Sequence, residues 1–260
     1  MSEARIEARK EGALGWMIFA NPARLNAVSV AMWQAIPRVL EDFAADSAIR
    51  CVVLAGAGER AFVSGADISQ FEAQRSGPEP VQRYEELAEG AQAKLGAFDK
   101  PTVAMVRGYC LGAGLNIANA CDLRIAGDDA RFGIPAARMG LGYRASSMKS
   151  LVDAVGAARA KEIMLTARQF SAAEAKDMGL VHRVVPAAEL ERHTREYCEA
   201  IAANAPLTMR AAKRIIREVT RADYDAERCR AWVEECFDSA DYAEGRKAFM
   251  EKRKPIFHGR

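Results

Sequence analysis

One stretch of this chain constrains its fold more than any other. An apolar run, Thr102-Val-Ala-Met-Val106, breaks into Gly108-Tyr-Cys-Leu-Gly-Ala-Gly-Leu-Asn116 and re-forms as a helical pattern over Leu115-Asn-Ile-Ala-Asn-Ala-Cys121. The run reads as a buried strand, and the small residues sit where a strand hands over to a helix N-terminus. Glycine and alanine there let a ligand approach the backbone closely. The unpaired N–H groups and the helix dipole favour negative charge at the same point. A second small-residue segment, Ser64-Gly-Ala-Asp-Ile68, has the same character. Two N–H groups from separate segments, converging on one point, make an oxyanion hole.

The rest of the chain repeats this alternation. Leu14–Phe19, Cys51–Ala55 and Asp122–Ala126 are further short apolar runs with the length and β-branched content of buried strands. Between the first two, Met32, Ile36, Val39, Leu40 and Phe43 recur at helical spacing, with Ser29 as N-cap. Strands alternating with helices predict an α/β fold with parallel pairing. Beyond about Val185 the pattern is all helical: Pro186 opens one helix, and three follow at Pro206–Thr220, Ala222–Phe237 and Ala240–Lys254. Ser171-Ala-Ala-Glu174 is a capping box. The polar segment Phe71–Glu89, with Gly77-Pro-Glu-Pro80 as a loop or helix start, has the composition of a lid near a ligand.

Composition excludes several function classes. Half of the 260 residues are apolar, enough for a substantial core. Lys and Arg number 37 against 35 Asp and Glu, so nothing suggests a nucleic-acid partner. Cys51, Cys110, Cys121, Cys198, Cys229 and Cys236 form no CxxC pair, and His182, His193 and His258 are scattered, so no metal site is expected. These cysteines read as small apolar residues in a reducing compartment. The charged N-terminus has no apolar h-region, and Val103–Cys121 is interrupted by Arg107, Asn116 and Asn119. No membrane partner is expected, and a cytoplasmic location is the default.

The two small-residue segments resemble those of the crotonase superfamily, the enoyl-CoA hydratase/isomerase family. Lys100-Pro101, Ala120-Cys-Asp122, Phe132-Gly-Ile-Pro135, Ala175–Val181 and Ala248–Pro255 fall in family order. The resemblance spans about nine-tenths of the chain, and several motifs at the right spacing are far more specific than one glycine-rich match. It implies a ββα spiral core with the acyl-CoA site over residues 1–190 and a helical module over 191–260 that serves as trimerisation and lid element. It implies an acyl-CoA thioester as substrate, no separate cofactor, and a homotrimer or dimer of trimers. The oxyanion-hole donors map onto the N–H groups of Ala66 and Ala113. CoA contacts map onto Arg24 and Ala27, onto Ser64, Gly65, Asp67 and Ile68, onto Leu111 and Gly112, and onto Pro135 and Ala136. Phe249 and Lys252 match C-terminal contacts to CoA, often contributed across a subunit boundary, while helix core is the plainer reading of Phe249. Arg24 is suited to a phosphate, and Asp67 to fixing its loop by accepting backbone hydrogen bonds.

The sequence also departs from the hydratases it resembles. They hold two glutamates that position and activate water, and the matching positions here are Asn116 and Ala136. An amide cannot act as a general base near neutral pH, and a methyl group does no proton chemistry. A third family position, in the loop after Gly140, maps onto Tyr143. Isomerases of the family carry glutamate there, dehalogenases aspartate and decarboxylases tyrosine. Lys161–Ala167 and Ser239–Gly245 also look like the decarboxylases, which nonetheless keep a glutamate at the Asn116 position. A tyrosine hydroxyl can hydrogen-bond a substrate carboxylate or give a proton to an enolate. Arg144 beside it can pair with an anionic group or point to solvent. The expected activity is therefore enolate stabilisation on an acyl-CoA without efficient two-glutamate hydration. The alternatives are decarboxylation or isomerisation through Tyr143, or acyl-CoA binding with little catalysis.

Overall fold

The computed structural model describes residues 3–67 and 78–260. Strands β1 (Arg5–Glu11) and β2 (Leu14–Ala20) form an antiparallel hairpin, followed by helix α1 (Val30–Ala45). Three strand–strand–helix units follow: β3 (Cys51–Gly56), β4 (Ala61–Val63) and α2 (Pro78–Gly96); β5 (Thr102–Val106), β6 (Tyr109–Leu111) and α3 (Ala113–Ala120); β7 (Leu123–Gly127), β8 (Arg131–Gly133) and α4 (Ala145–Thr166). In each unit the first strand joins a six-stranded sheet, ordered β1-β2-β3-β5-β7-β10 with β10 at Arg183–Val185. The second joins a four-stranded sheet, β4-β6-β8-β9, with β9 at Phe170–Ser171. From β2 to β10 the large sheet is parallel throughout, as is the small one from β4 to β8. This is the α/β fold with parallel pairing that the strand–helix alternation predicts, arranged in the repeated ββα turns that the family resemblance implies.

Strands β2, β3, β5 and β7 of the large sheet are buried on both faces, which explains why they read as continuous apolar runs, whereas the edge strand β1 is largely exposed. Along β3, Val52 and Leu54 point into the main core with Phe19, Trp33, Phe62 and Phe132, while Cys51 and Val53 point the other way. That second face is covered by α6 (Leu190–Ala202), whose Leu190 and Cys198 pack on Leu14, Trp16 and Val103. Helix α5 (Ala172–Asp177) starts at the predicted capping box: Ser171 Oγ accepts from the Glu174 N–H at 3.3 Å, and Glu174 accepts from the Ser171 N–H at 2.8 Å. All six cysteines are free, and burial pushes the Cys121 thiol up to about 12 and Cys110 higher still. Cys51, Cys110, Cys121 and Cys198 are inert core atoms, while Cys229 and Cys236 are half-buried on the helix Ala226–Phe237.

The C-terminal helices are α7 (Pro206–Val219), α8 (Ala226–Phe237) and α9 (Ala240–Met250). Helix α7 ends one residue before Thr220, and two other boundaries differ more from the sequence reading. Helix α8 begins four residues after Ala222, because Asp225 caps it by accepting from the Arg228 N–H at 2.9 Å. Helix α9 stops at Met250, and Lys252 takes a left-handed conformation at φ +51°. Lys213 on α7 is held 2.6 Å from Asp122, whose carboxylate also accepts from the Thr102 N–H, so this module is tied to the spiral. Among the described residues, no helix is long and apolar enough to cross a membrane.

Candidate active site

The spiral brings the two small-residue segments together. Strands β4 and β6 are parallel neighbours, so the backbone leaves both at the same sheet end. Ser64-Gly65-Ala66 follows β4, and Gly112-Ala113 follows β6. Glycine is needed where they meet. A Cβ on Gly114 would lie 2.1 Å from the Val63 carbonyl oxygen. Gly112 and Gly65 also have positive φ, at +52° and +133°. The N-terminus of α3 is thus pressed against the end of β4.

The first segment is pinned on both sides of Ala66, and the second just before Ala113. The Val28 N–H donates to the Gly65 carbonyl at 2.9 Å, and the Asp67 N–H donates to the Val28 carbonyl at 3.0 Å. The Gly112 N–H donates to the Gly133 carbonyl at 2.9 Å. Among the described residues, no backbone carbonyl accepts from the N–H of Ala66 or Ala113. Both alanines line a cavity of about 220 Å³, the size of a small acyl group rather than of a whole nucleotide. The far end of α3 is held by buried Arg124, which donates to the Ala118 and Cys121 carbonyls at 3.2 and 3.0 Å. A cation at the C-terminus complements the dipole whose positive end faces the cavity.

The wall opposite the alanines comes from the turn after β8. Pro135 opens a 3-10 helix, and Gly140 closes it in a left-handed conformation at φ +62°. The Leu141 N–H donates back to the Ala136 carbonyl at 3.0 Å. This turn swings Tyr143 over α3. Its hydroxyl donates to Asn116 Oδ1 at 3.1 Å, and Asn116 Nδ2 donates to Ser147 Oγ at 3.2 Å. Burial pushes the Tyr143 hydroxyl up to about 12, with the Asn116 bond pulling the other way. It therefore stays protonated at neutral pH and can donate but not abstract a proton.

Ser64, Gly65, Ala66, Gly112, Ala113, Asn116, Pro135, Ala136 and Tyr143 all line this one cavity. Ala27 and Leu111 do not; Ala27 is buried beside the Val28–Ala66 bridge, and Leu111 ends β6. Ile68 lies outside the described residues. Asp67 has a role the sequence reading omits: its carboxylate accepts from the Arg24 guanidinium at 2.9 Å, which joins the two expected CoA-contact segments. Phe249 is neither helix core nor a cavity residue in this chain; it is 82% exposed at the end of α9, with Lys252 exposed three residues on. Arg144 lines the cavity and is partly exposed, but its guanidinium is not free. It is paired with Glu85 and with Glu89, the latter at 3.0 Å. Those two carboxylates, on α2, also line the cavity and were missed in the sequence. Their i,i+4 spacing shows only that they share a helix face; which wall that face meets is decided by tertiary packing.

Known proteins agree with this architecture. The family model described as enoyl-CoA hydratase/isomerase matches residues 9–260. A short-chain-enoyl-CoA hydratase of Clostridium acetobutylicum is 34% identical over 248 residues, 94% of each chain. A peroxisomal Delta(3,5)-Delta(2,4)-dienoyl-CoA isomerase of Arabidopsis thaliana is 30% identical, over 97% of this chain and 95% of its own. A crystal structure of an enoyl-CoA hydratase/carnithine racemase from Magnetospirillum magneticum superposes with a TM-score of 0.93 at 33% identity, covering 100% of this chain and 97% of that one. With its ββα spiral, its paired small-residue segments and relatives along nearly its full length, the chain belongs to the enoyl-CoA hydratase/isomerase family, the crotonase superfamily, and is an acyl-CoA enzyme of that family.

Proposed function

We propose that the cavity binds the thioester end of an acyl-CoA, that the N–H groups of Ala66 and Ala113 form an oxyanion hole for its enolate, and that the reaction is decarboxylation of a 2-carboxyacyl-CoA. One observation supports the choice of reaction: of the titratable side chains that line the cavity, Glu85 and Glu89 are paired with Arg144, while the Tyr143 hydroxyl is a protonated donor held by Asn116. Hydration needs a base to activate water, and isomerisation needs a base to remove a proton. Decarboxylation needs neither. The C–CO2 bond breaks, its electron pair becomes the enolate, and CO2 leaves. The enolate is then protonated at its α-carbon by the Tyr143 hydroxyl, which regains its proton from water. The hole contributes about 2.7–4 kcal/mol per donor to lowering the barrier.

Tyr143→Phe removes the hydroxyl and keeps the ring. Turnover of the carboxylated substrate is expected to fall about 10²-fold or more, with CoA affinity nearly unchanged. With the hydroxyl pushed up to about 12, the wild-type rate should show no tyrosine ionisation between pH 6 and about 9. Equal turnover by wild type and variant would return Tyr143 to packing and favour a binding protein.

The reading includes a trimer or dimer of trimers. Exposed apolar residues support it: Ile216 on α7, Phe237 on α8, and Phe249 and Met250 on α9 crowd the C-terminal helices. Sedimentation at micromolar concentration should give three or six copies; a stable monomer would contradict the assembly.

A further inference from the structure

The cavity wall made by α2 carries charge that the proposed chemistry does not use. Glu85 and Glu89 sit one helical turn apart and line the cavity, as does Arg144 at the start of α4. The three form one cluster. Arg144 Nε donates to Glu85 Oε2 at 3.1 Å and Arg144 Nη1 to Glu89 Oε2 at 3.0 Å, while Ser146 Oγ donates to the other oxygen of Glu89. All three side chains are only partly exposed, at 28%, 33% and 38%. Arg144 is the one cation among the described cavity-lining residues, and it faces two anions. The wall is therefore net negative by one charge, and its guanidinium is already taken.

We propose that Glu85 and Glu89 are specificity-determining residues: by occupying Arg144 from both sides they stop it from clamping an acyl carboxylate, so the site disfavours charged acyl groups in the ground state. Like charges brought together across a partly buried wall weaken binding, whereas a free arginine would grip a carboxylate bidentately. For a reaction that turns a carboxylate into neutral CO2, weak ground-state binding is the useful sense, because only interactions stronger in the transition state raise the rate. The inference rests on the cavity being the acyl site, and the test separates the two claims.

The probes are pentanoyl-CoA and glutaryl-CoA, of equal chain length, one neutral and one bearing a distal carboxylate. Calorimetry on the wild type should show glutaryl-CoA binding at least about tenfold more weakly. Glu85→Gln with Glu89→Gln keeps the shape of both side chains and frees Arg144. The double variant should bind glutaryl-CoA as tightly as pentanoyl-CoA or more so, with pentanoyl-CoA affinity changed less than about twofold. Adding Arg144→Met should abolish that gain. With a 2-carboxyacyl-CoA substrate, the double variant should lower KM and kcat together, a split that loss of structure would not give. Circular dichroism and the melting temperature check the fold; Glu85→Gln alone, which leaves Glu89 on Arg144, should give an intermediate ratio. Equal affinity of the wild type for both probes, or a ratio unchanged in the double variant, overturns the charge selection while leaving the acyl site standing. Failure of pentanoyl-CoA to bind the wild type overturns both.

Discussion

Replacing Ala113 by proline is expected to reduce acyl-CoA turnover by about 10²–10³-fold, the effect of losing one donor of the proposed oxyanion hole. Proline deletes the N–H itself, which no other natural side chain does. Ala113 is the first residue of α3, the helical position that proline tolerates best, so the helix should persist. Gly112 before it sits at φ +52° and ψ −113°, outside the region favoured ahead of proline, so the fold must be checked. Ala113→Gly is the control: it keeps the donor and should keep most activity. Turnover is measured with a saturating acyl-CoA, alongside a thermal melt. A folded proline variant with undiminished turnover would place the hole elsewhere.

The second large effect is a deficit. Crotonyl-CoA hydration should run several orders of magnitude below that of a hydratase carrying both glutamates, since each acid or base group contributes about 10²–10⁴-fold. The Asn116 amide is committed on both sides, accepting from Tyr143 and donating to Ser147, so it has little left to orient water. Ala136 presents only a methyl group, 3% exposed. Glu85 and Glu89 do not stand in for the missing pair, because both are bound to Arg144. A direct absorbance assay of crotonyl-CoA consumption suffices. An ordinary enzyme rate, about 10 s⁻¹ or above, would defeat this part of the account.

The inner strands of the large sheet were legible because they are buried on both faces, so Leu14–Phe19 and Cys51–Ala55 stand out as apolar runs, while the more exposed edge strands β1 and β10 carry no such signal. The short strands β4, β6 and β8 have three residues each, too few to show a period, and only the resemblance implied them. Within the site, the glycines and alanines were readable because their chemistry is local: a backbone that must come close needs small side chains. Tyr143 was readable by position but not by behaviour. It stays protonated because of burial, an effect that the bond to Asn116, 27 residues away in sequence, partly offsets. The Glu85–Arg144–Glu89 cluster was invisible, since it joins α2 to the start of α4 across more than fifty residues. The Arg24–Asp67 pair escaped for the same reason.

The most direct test of an enolate formed without a base is to incubate the enzyme in D2O with 2-carboxyacyl-CoA and enoyl-CoA thioesters and follow each by mass spectrometry. The carboxylated thioester should lose CO2 and gain one deuteron at the α-carbon, at a rate that Tyr143→Phe lowers about 10²-fold. Rapid addition of water to the enoyl-CoA, with the carboxylated thioester left intact, would contradict this mechanism.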